Sequence, residues 1–224
     1  MTMKLLNKLL NKKPCAAVIV AAGFGTRMEG TDKIMTELAG KPVVVHTISA
    51  FESARFIDEI VVVARRSQVQ TIKLLVAKYQ FQKVKTVVPG GASRVESVWN
   101  GLQAVSRKME YVAVQDGARP MVTAQLINKT VLRARRVQAA APGVPVKDTI
   151  KQVDDQGMVV ATPPRDALRA VQTPQVFQKD LLRAAWKRAR KDGSSLILPP
   201  RPGVSLSWSK YAPLMVSTSL SRAM

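Results

Sequence analysis

Two kinds of stretch alternate along the chain. Short, largely apolar runs, Ala17 to Ala22, Glu59 to Ala64 (EIVVVA), Val84 to Val88 and Tyr111 to Val114 (YVAV), predict strands buried on both faces. Between them apolar residues recur every three or four positions. Val45, Ile48 and Phe51 follow Pro42, and Val69, Ile72, Leu75, Val76 and Tyr79 follow Ser67, a candidate cap. Val95, Val98, Leu102 and Val105 follow Ser93 and Glu96, which have capping-box spacing. Thr123 to Ala140 predicts another helix, with Leu126, Ile127, Val131 and Ala134 on one side and Arg133, Arg135 and Arg136 on a solvated one. The alternation predicts an α/β fold: a mostly parallel, layered sheet with helices on both faces and ligands at the carboxyl ends of its strands.

Residues 142 to 164 break this rhythm. VPVKDTIKQVDD, a turn at Asp155-Gln156-Gly157, and MVVATPPR predict a β-hairpin over about 143–166, either a projecting arm or an extension of the sheet's edge. Exposed arms of this kind commonly pair with a copy of themselves, so a homodimer is expected. The chain returns through Ala170 to Phe177, and Asp180 starts a strongly basic helix stopped by Gly193. Residues 14–193 thus read as one domain. Residues 1–13 form a basic N-terminal extension. Residues 194–224 hold eight serines and four prolines without one acidic residue, and are expected to be a poorly ordered tail.

A length of 224 residues, 46% of them hydrophobic, suits a single domain with a proper core. No apolar run approaches the roughly 20 residues that span a bilayer, and a cytoplasmic location is expected. Cys15 and His46 are the only residues of their types, which argues against a disulfide, a Cys/His zinc site and a Ser-His-Asp triad. The formal charge of +20 points to anionic partners: polyphosphates, nucleic acid or anionic surfaces. A basic scaffold that binds nucleic acid is the competing class. It is disfavoured because the cations are scattered over several helices and aromatic residues make up only 5%.

The candidate chemistry sits where the apolar runs end. Gly23-Phe24-Gly25, then Arg27 and Lys33, suit a phosphate loop, although glycines at a turn also serve backbone conformation alone. Ser97 either binds a ligand beside the Gly90-Gly91 turn or faces solvent. Asp116, at the tip of a strand, either caps the next turn or holds a metal or hydroxyl; Arg119 would steady a phosphate or Asp116 itself.

With these pieces placed, the sequence resembles the methylerythritol phosphate cytidylyltransferases of the non-mevalonate isoprenoid pathway. AAGFGTRMEGTDK, GGASRVESVWNGL, QDGARP, APGVPVKDTIK and PPRDALRAVQTPQVF carry the likeness, in one order. The related ribitol phosphate cytidylyltransferases share much of it. The resemblance implies a Rossmann-like nucleotidyltransferase domain in which the phosphate of 2-C-methylerythritol 4-phosphate attacks the α-phosphate of CTP, with Mg2+ and without a protein nucleophile. It implies catalytic roles for Arg27 and Lys33, CTP contacts from Ala21, Ala22, Gly23, Gly25, Gly91, Ser97, Asp116 and Gly117, and acceptor contacts from Asp116 and Arg119. Asp116 would also touch the metal. Thr149 and Arg165 would reach the acceptor in the opposite subunit of an arm-mediated dimer. Three departures stand out: Ala92 where the family usually has an acid, Gln115 for a frequent histidine, and an ending after Gly193 that lacks the family's last strand and its phosphate-binding lysine. That ending implies impaired activity.

Overall fold

The computed structural model describes residues 13–23, 32–191 and 215–217, the last three and Lys191 by backbone alone. Gly25 and Arg27, most of the N-terminal extension and most of the tail lie outside the described residues.

The four expected strands form: β1 (Cys15–Ala21), β4 (Glu59–Ala64), β5 (Val84–Pro89) and β6 (Tyr111–Asp116), with a small ribbon of β2 (Glu37–Leu38) and β3 (Lys41–Pro42) between the first two. They are parallel neighbours in the order β6-β1-β4-β5, with Val18 facing Val61 on one side and Val114 on the other. Their side chains split between two apolar layers. Ala17, Ile19, Ile60 and Val62 point to one layer, closed by α1 (Val43–Glu52), α2 (Val69–Lys78) and α4 (Ala124–Val137). Ala16, Val18, Val61 and Val63 point to the other, closed by α3 (Arg94–Ala104) and α5 (Lys179–Lys191). Period-two alternation between two buried faces is why these runs carry so few polar residues. Ile19, Ile48, Phe51, Ile60 and Ile72 are wholly buried, each removal from water worth about 1.5–3 kcal/mol. Helix α3 comes close to the sheet at Gly101, where a Cβ would lie 2.4 Å from Val18 Cγ1.

Several expectations change. Ser67 does not cap α2; a 3-10 turn, Arg66–Gln68, leads in, and Gln68 is the capping residue without a side-chain bond. Helix α4, capped by Thr123, ends at Gln138 in a left-handed conformation, and Ala139–Pro145 is strand β7 instead of helix or hairpin. Three alanines favour helix locally, and pairing with β11 (Gln175–Gln178) overrides that preference. Strand β11 lies antiparallel between β6 and β7, so the parallel sheet acquires an antiparallel flank.

The arm is present and its paired part is short: β8 (Gln152–Val153) against β9 (Val159–Ala161). Asp154 Oδ1 ties its turn by accepting N–H bonds from Gln156 and Met158, and Gly157 supplies the positive φ of 82°. The chain comes back through β10 (Arg169–Val171) on the end of β7. Within the tail, Met215–Ser217 forms a strand, β12, parallel to β7, so a strand does follow α5; it contains no lysine.

Candidate active site

Because β1, β4, β5 and β6 run parallel, their carboxyl ends share one edge of the sheet, and the loops leaving them make a common rim. Contact there is close. A Cβ on Gly90 would lie 2.4 Å from Ala22 Cβ and 2.8 Å from Ser97 Oγ, and one on Gly117 would lie 3.0 Å from Ala21 Cβ. Only glycine lets these loops approach so nearly. Gly90 N–H donates to Ala64 O and Gly117 N–H to Val20 O, both at 2.8 Å, and the buried Thr47 hydroxyl donates to Gly117 O at 2.9 Å. The structure therefore brings together Ala21, Ala22, Gly91, Ser97, Asp116 and Gly117. Around Gly23 the position of a Cβ is open.

The loop after β5 has a definite polarity. Ser97 is buried; its hydroxyl donates to Ser93 O at 2.9 Å and accepts from Gly91 N–H at 3.1 Å. Glu96 Oε2 accepts from Ala92 N–H at 2.8 Å, while Glu96 N–H donates to the Ser93 hydroxyl at 3.1 Å. With Gly90 N–H on Ala64, the N–H groups of Gly90, Gly91 and Ala92 are all engaged, and what this stretch leaves for a ligand is carbonyl oxygen and a hydroxyl lone pair. An anion finds no donor in the backbone of Gly90 to Ala92; an amine finds acceptors there.

Asp116, the last residue of β6, is held from both sides. Arg94 Nε and Nη2 donate to Oδ1 at 3.1 and 2.8 Å, and Arg119 Nε donates to Oδ2 at 3.1 Å. This ion-pair cluster is about one-third exposed, open enough for a ligand to compete for it. Beside it Gln115 is wholly buried, its amide donating to Asp116 O at 3.2 Å and, more weakly, to Arg119 O at 3.5 Å, so the residue replacing the family's histidine supports the turn from behind.

Lys33 follows an anchored residue. The Asp32 carboxylate accepts from Arg65 at 3.2 Å and from Gln68, and Asp32 O accepts from the N–H groups of Met35 and Thr36. Ile34, on the other side, is buried in the core. Lys33 is thus fixed at the carboxyl end of β4. Thr149 and Arg165 lie on the arm, both exposed, with Arg165 Nη1 donating to Lys147 O at 3.0 Å. Among the described residues no hydrogen bond joins either to the rim.

The sequence reading missed Arg94, Glu96 as a loop anchor, and the Asp32, Arg65 and Gln68 clamp. Arg94 and Glu96 stand inside the glycine motif and were open to notice; Arg65 and Gln68 meet Asp32 only through the fold.

A protein-family model described as IspD, 2-C-methyl-D-erythritol 4-phosphate cytidylyltransferase, matches residues 15–197. The chain belongs to that family. The enzyme of this description from Caldanaerobacter subterraneus is 42% identical over 180 residues, which are 80% of this chain and 79% of that one. One from Dehalococcoides mccartyi is 38% identical over 212 residues, 93% of this chain and 92% of the relative. Among solved structures, the 4-diphosphocytidyl-2C-methyl-D-erythritol synthase of Anaerococcus prevotii superposes with a TM-score of 0.73 at 28% identity, covering 91% of this chain and 85% of that one. The cytidylyltransferase family reaction joins CTP and 2-C-methyl-D-erythritol 4-phosphate to give 4-diphosphocytidyl-2-C-methyl-D-erythritol and pyrophosphate. The chain is a nucleotidyltransferase by membership, and the likeness to the solved cytidylyltransferases shows its fold to be theirs. No helix among the described residues is long and apolar enough to cross a membrane.

Proposed function

We propose that the rim performs this reaction in the cytoplasm, with CTP read by the loop after β5 and the acceptor held between Asp116 and a partner's arm. The observation that carries the reading is the loop's polarity. Acceptors without free donors at Gly90 to Ala92 suit the exocyclic amine of cytosine and repel the carbonyl that uracil has in its place. Ala92 removes one acid from this neighbourhood, and Glu96, bonded to the same residue's N–H, keeps a carboxylate beside it.

The nucleophile is a phosphate oxygen of the acceptor. It forms a bond to the α-phosphorus while the bond from that phosphorus to the bridging oxygen breaks, and pyrophosphate leaves with the electron pair. No proton has to move to a side chain, which agrees with a rim that lacks Cys and His. Charge stabilisation and alignment are the protein's share. Lys33, pinned by its neighbours, and Arg27 face the phosphates in this scheme. Asp116 and Gly117 serve the ribose, and Asp116 and Arg119 the acceptor.

Among the described residues no group of three His, Cys, Asp or Glu side chains is placed to hold a metal. The carboxylate of Asp116 at the end of β6 fits Mg2+, which keeps waters and phosphate oxygens and needs one or two carboxylates. Asp116 would supply one oxygen, and the bound ion would offset charge on the triphosphate. The arm exposes Met158 at 65% and Val159 and Val160 at 57% each, apolar side chains that a second copy would cover. A homodimer in which Thr149 and Arg165 cross to the neighbouring rim accounts for their exposure here.

Pyrophosphate release tests the reading. The chain is assayed with CTP or UTP, with methylerythritol phosphate or ribitol phosphate, beside the Caldanaerobacter relative. Release is expected with CTP and methylerythritol phosphate alone. For want of the family's lysine, turnover is expected about a hundredfold below the relative's, the size of one charge contact in a dry site. Preference for ribitol phosphate overturns the acceptor, and turnover equal to the relative's overturns the impairment.

A further inference from the structure

A chain of hydrogen bonds runs from the neck of the arm to Asp116. The arm leaves the sheet along β7 and returns along β10, with Ala170 opposite Val144. One residue beyond β10, Gln172 N–H donates to Pro142 O at 2.8 Å and closes the neck. The side chain of the same residue reaches the rim, where Gln172 Oε1 accepts from Arg119 Nη1. Arg119 Nε donates in turn to Asp116 Oδ2, whose other oxygen is held by Arg94.

A guanidinium is a rigid planar fork, so two bonds through different nitrogens fix its plane as well as its place. Asp116 supplies one anchor and Gln172 the other. Without Gln172, Arg119 keeps only an exposed ion pair three residues back in sequence, a contact of the kind that leaves a long side chain free to swing. The remaining N–H groups of Arg119 would then lose their direction.

We propose that Gln172 is a positioning residue. It orients Arg119 toward the acceptor phosphate and, through its backbone bond at the neck, makes that orientation depend on how the arm is seated. The inference rests on reading Arg119 as an acceptor-binding group. It assigns to the arm a role in its own subunit's rim, in addition to what its tip does elsewhere.

Steady-state kinetics of Gln172→Leu, Gln172→Glu, Arg119→Ala and the Gln172→Leu/Arg119→Ala pair test it, with thermal unfolding and native mass recorded for each. Gln172→Leu is expected to raise KM for the acceptor about tenfold while KM for CTP stays within about twofold, since only one half of the site loses its geometry. Gln172→Glu keeps an acceptor oxygen and should restore most of the loss. In the Arg119→Ala background Gln172→Leu should cost nothing further, because the two act as a unit. An unchanged acceptor KM in Gln172→Leu, beside a raised one in Arg119→Ala, overturns the role of Gln172. The same holds for equal losses in both backgrounds. No effect of Arg119→Ala overturns the reading of the site beneath it. Should Gln172→Leu fail to fold, Gln172→Asn withdraws the same oxygen by one methylene and is expected to show the same split.

Discussion

The loop after β5 and the hairpin arm both carry residues expected at the site, and they differ in what one chain can complete. In the loop the N–H groups of Gly90, Gly91 and Ala92 all have partners, Ser97 is buried, and the glycines are packed against Ala22 and Glu96. Its geometry is finished. In the arm Thr149 and Arg165 are exposed, and so is a run of apolar side chains from Met158 to Val160. Folding alone explains the first arrangement, because unpaired backbone beneath a core is costly. It does not explain the second, because apolar side chains in water gain nothing. In the proposed dimer the rim is the pre-formed half and the arm the half that a second copy would complete.

The largest expected effect concerns the arm. Val159→Asp with Val160→Asp should convert a dimer to a monomer and lower turnover about a hundredfold, an estimate based on losing one charged contact to the transferring phosphate. The unfolding temperature should shift little, since neither side chain enters the core. Sedimentation and pyrophosphate release give the answer, and a fully active monomer would erase the distinction between the two halves. A smaller effect is expected in the loop. Glu96→Ala frees Ala92 N–H to meet a carbonyl and should reduce the preference for CTP over UTP about tenfold, one unmatched hydrogen bond's worth. Unaltered selectivity would mean that the loop's polarity is not what reads the base.

The smallest effect is in the core beneath the rim. Burial pushes the Cys15 thiol up to about 12 from an ordinary 9.0, outweighing the lowering by Arg135. Between those values the folded chain keeps a proton that the unfolded chain has released, so stability falls as pH rises through 9 toward 12. Cys15→Ala should flatten that part of the decline, seen as a difference in urea midpoint between the two proteins that is constant below pH 9 and shrinks as the pH rises above it. If the difference does not change with pH, β1 is wetter than the packing shows.

The sequence by itself determined the four central strands, their alternation with helices, the existence of the arm and part of the rim: Ala21, Ala22, Gly91, Ser97, Asp116 and Gly117. Each depends on local signals: unbroken apolar runs, three- and four-residue periodicity, Gly90-Gly91 before a capping serine, Asp116 ending a strand. It did not determine β7, because Ala139 to Ala141 favour helix and only pairing with β11 and β12 makes them extended. Nor did it reveal that β11 enters antiparallel, that Asp32 is gripped by Arg65 and Gln68, or that Gln172 meets Arg119 across 53 positions. Those contacts join residues distant in sequence, and no periodicity records them. Only the tertiary structure showed that the loop after β5 leaves acceptors open at Gly90 to Ala92, whose N–H groups are engaged: a glycine in the sequence says that the backbone comes close, and the fold decides which of its two polar groups is left over.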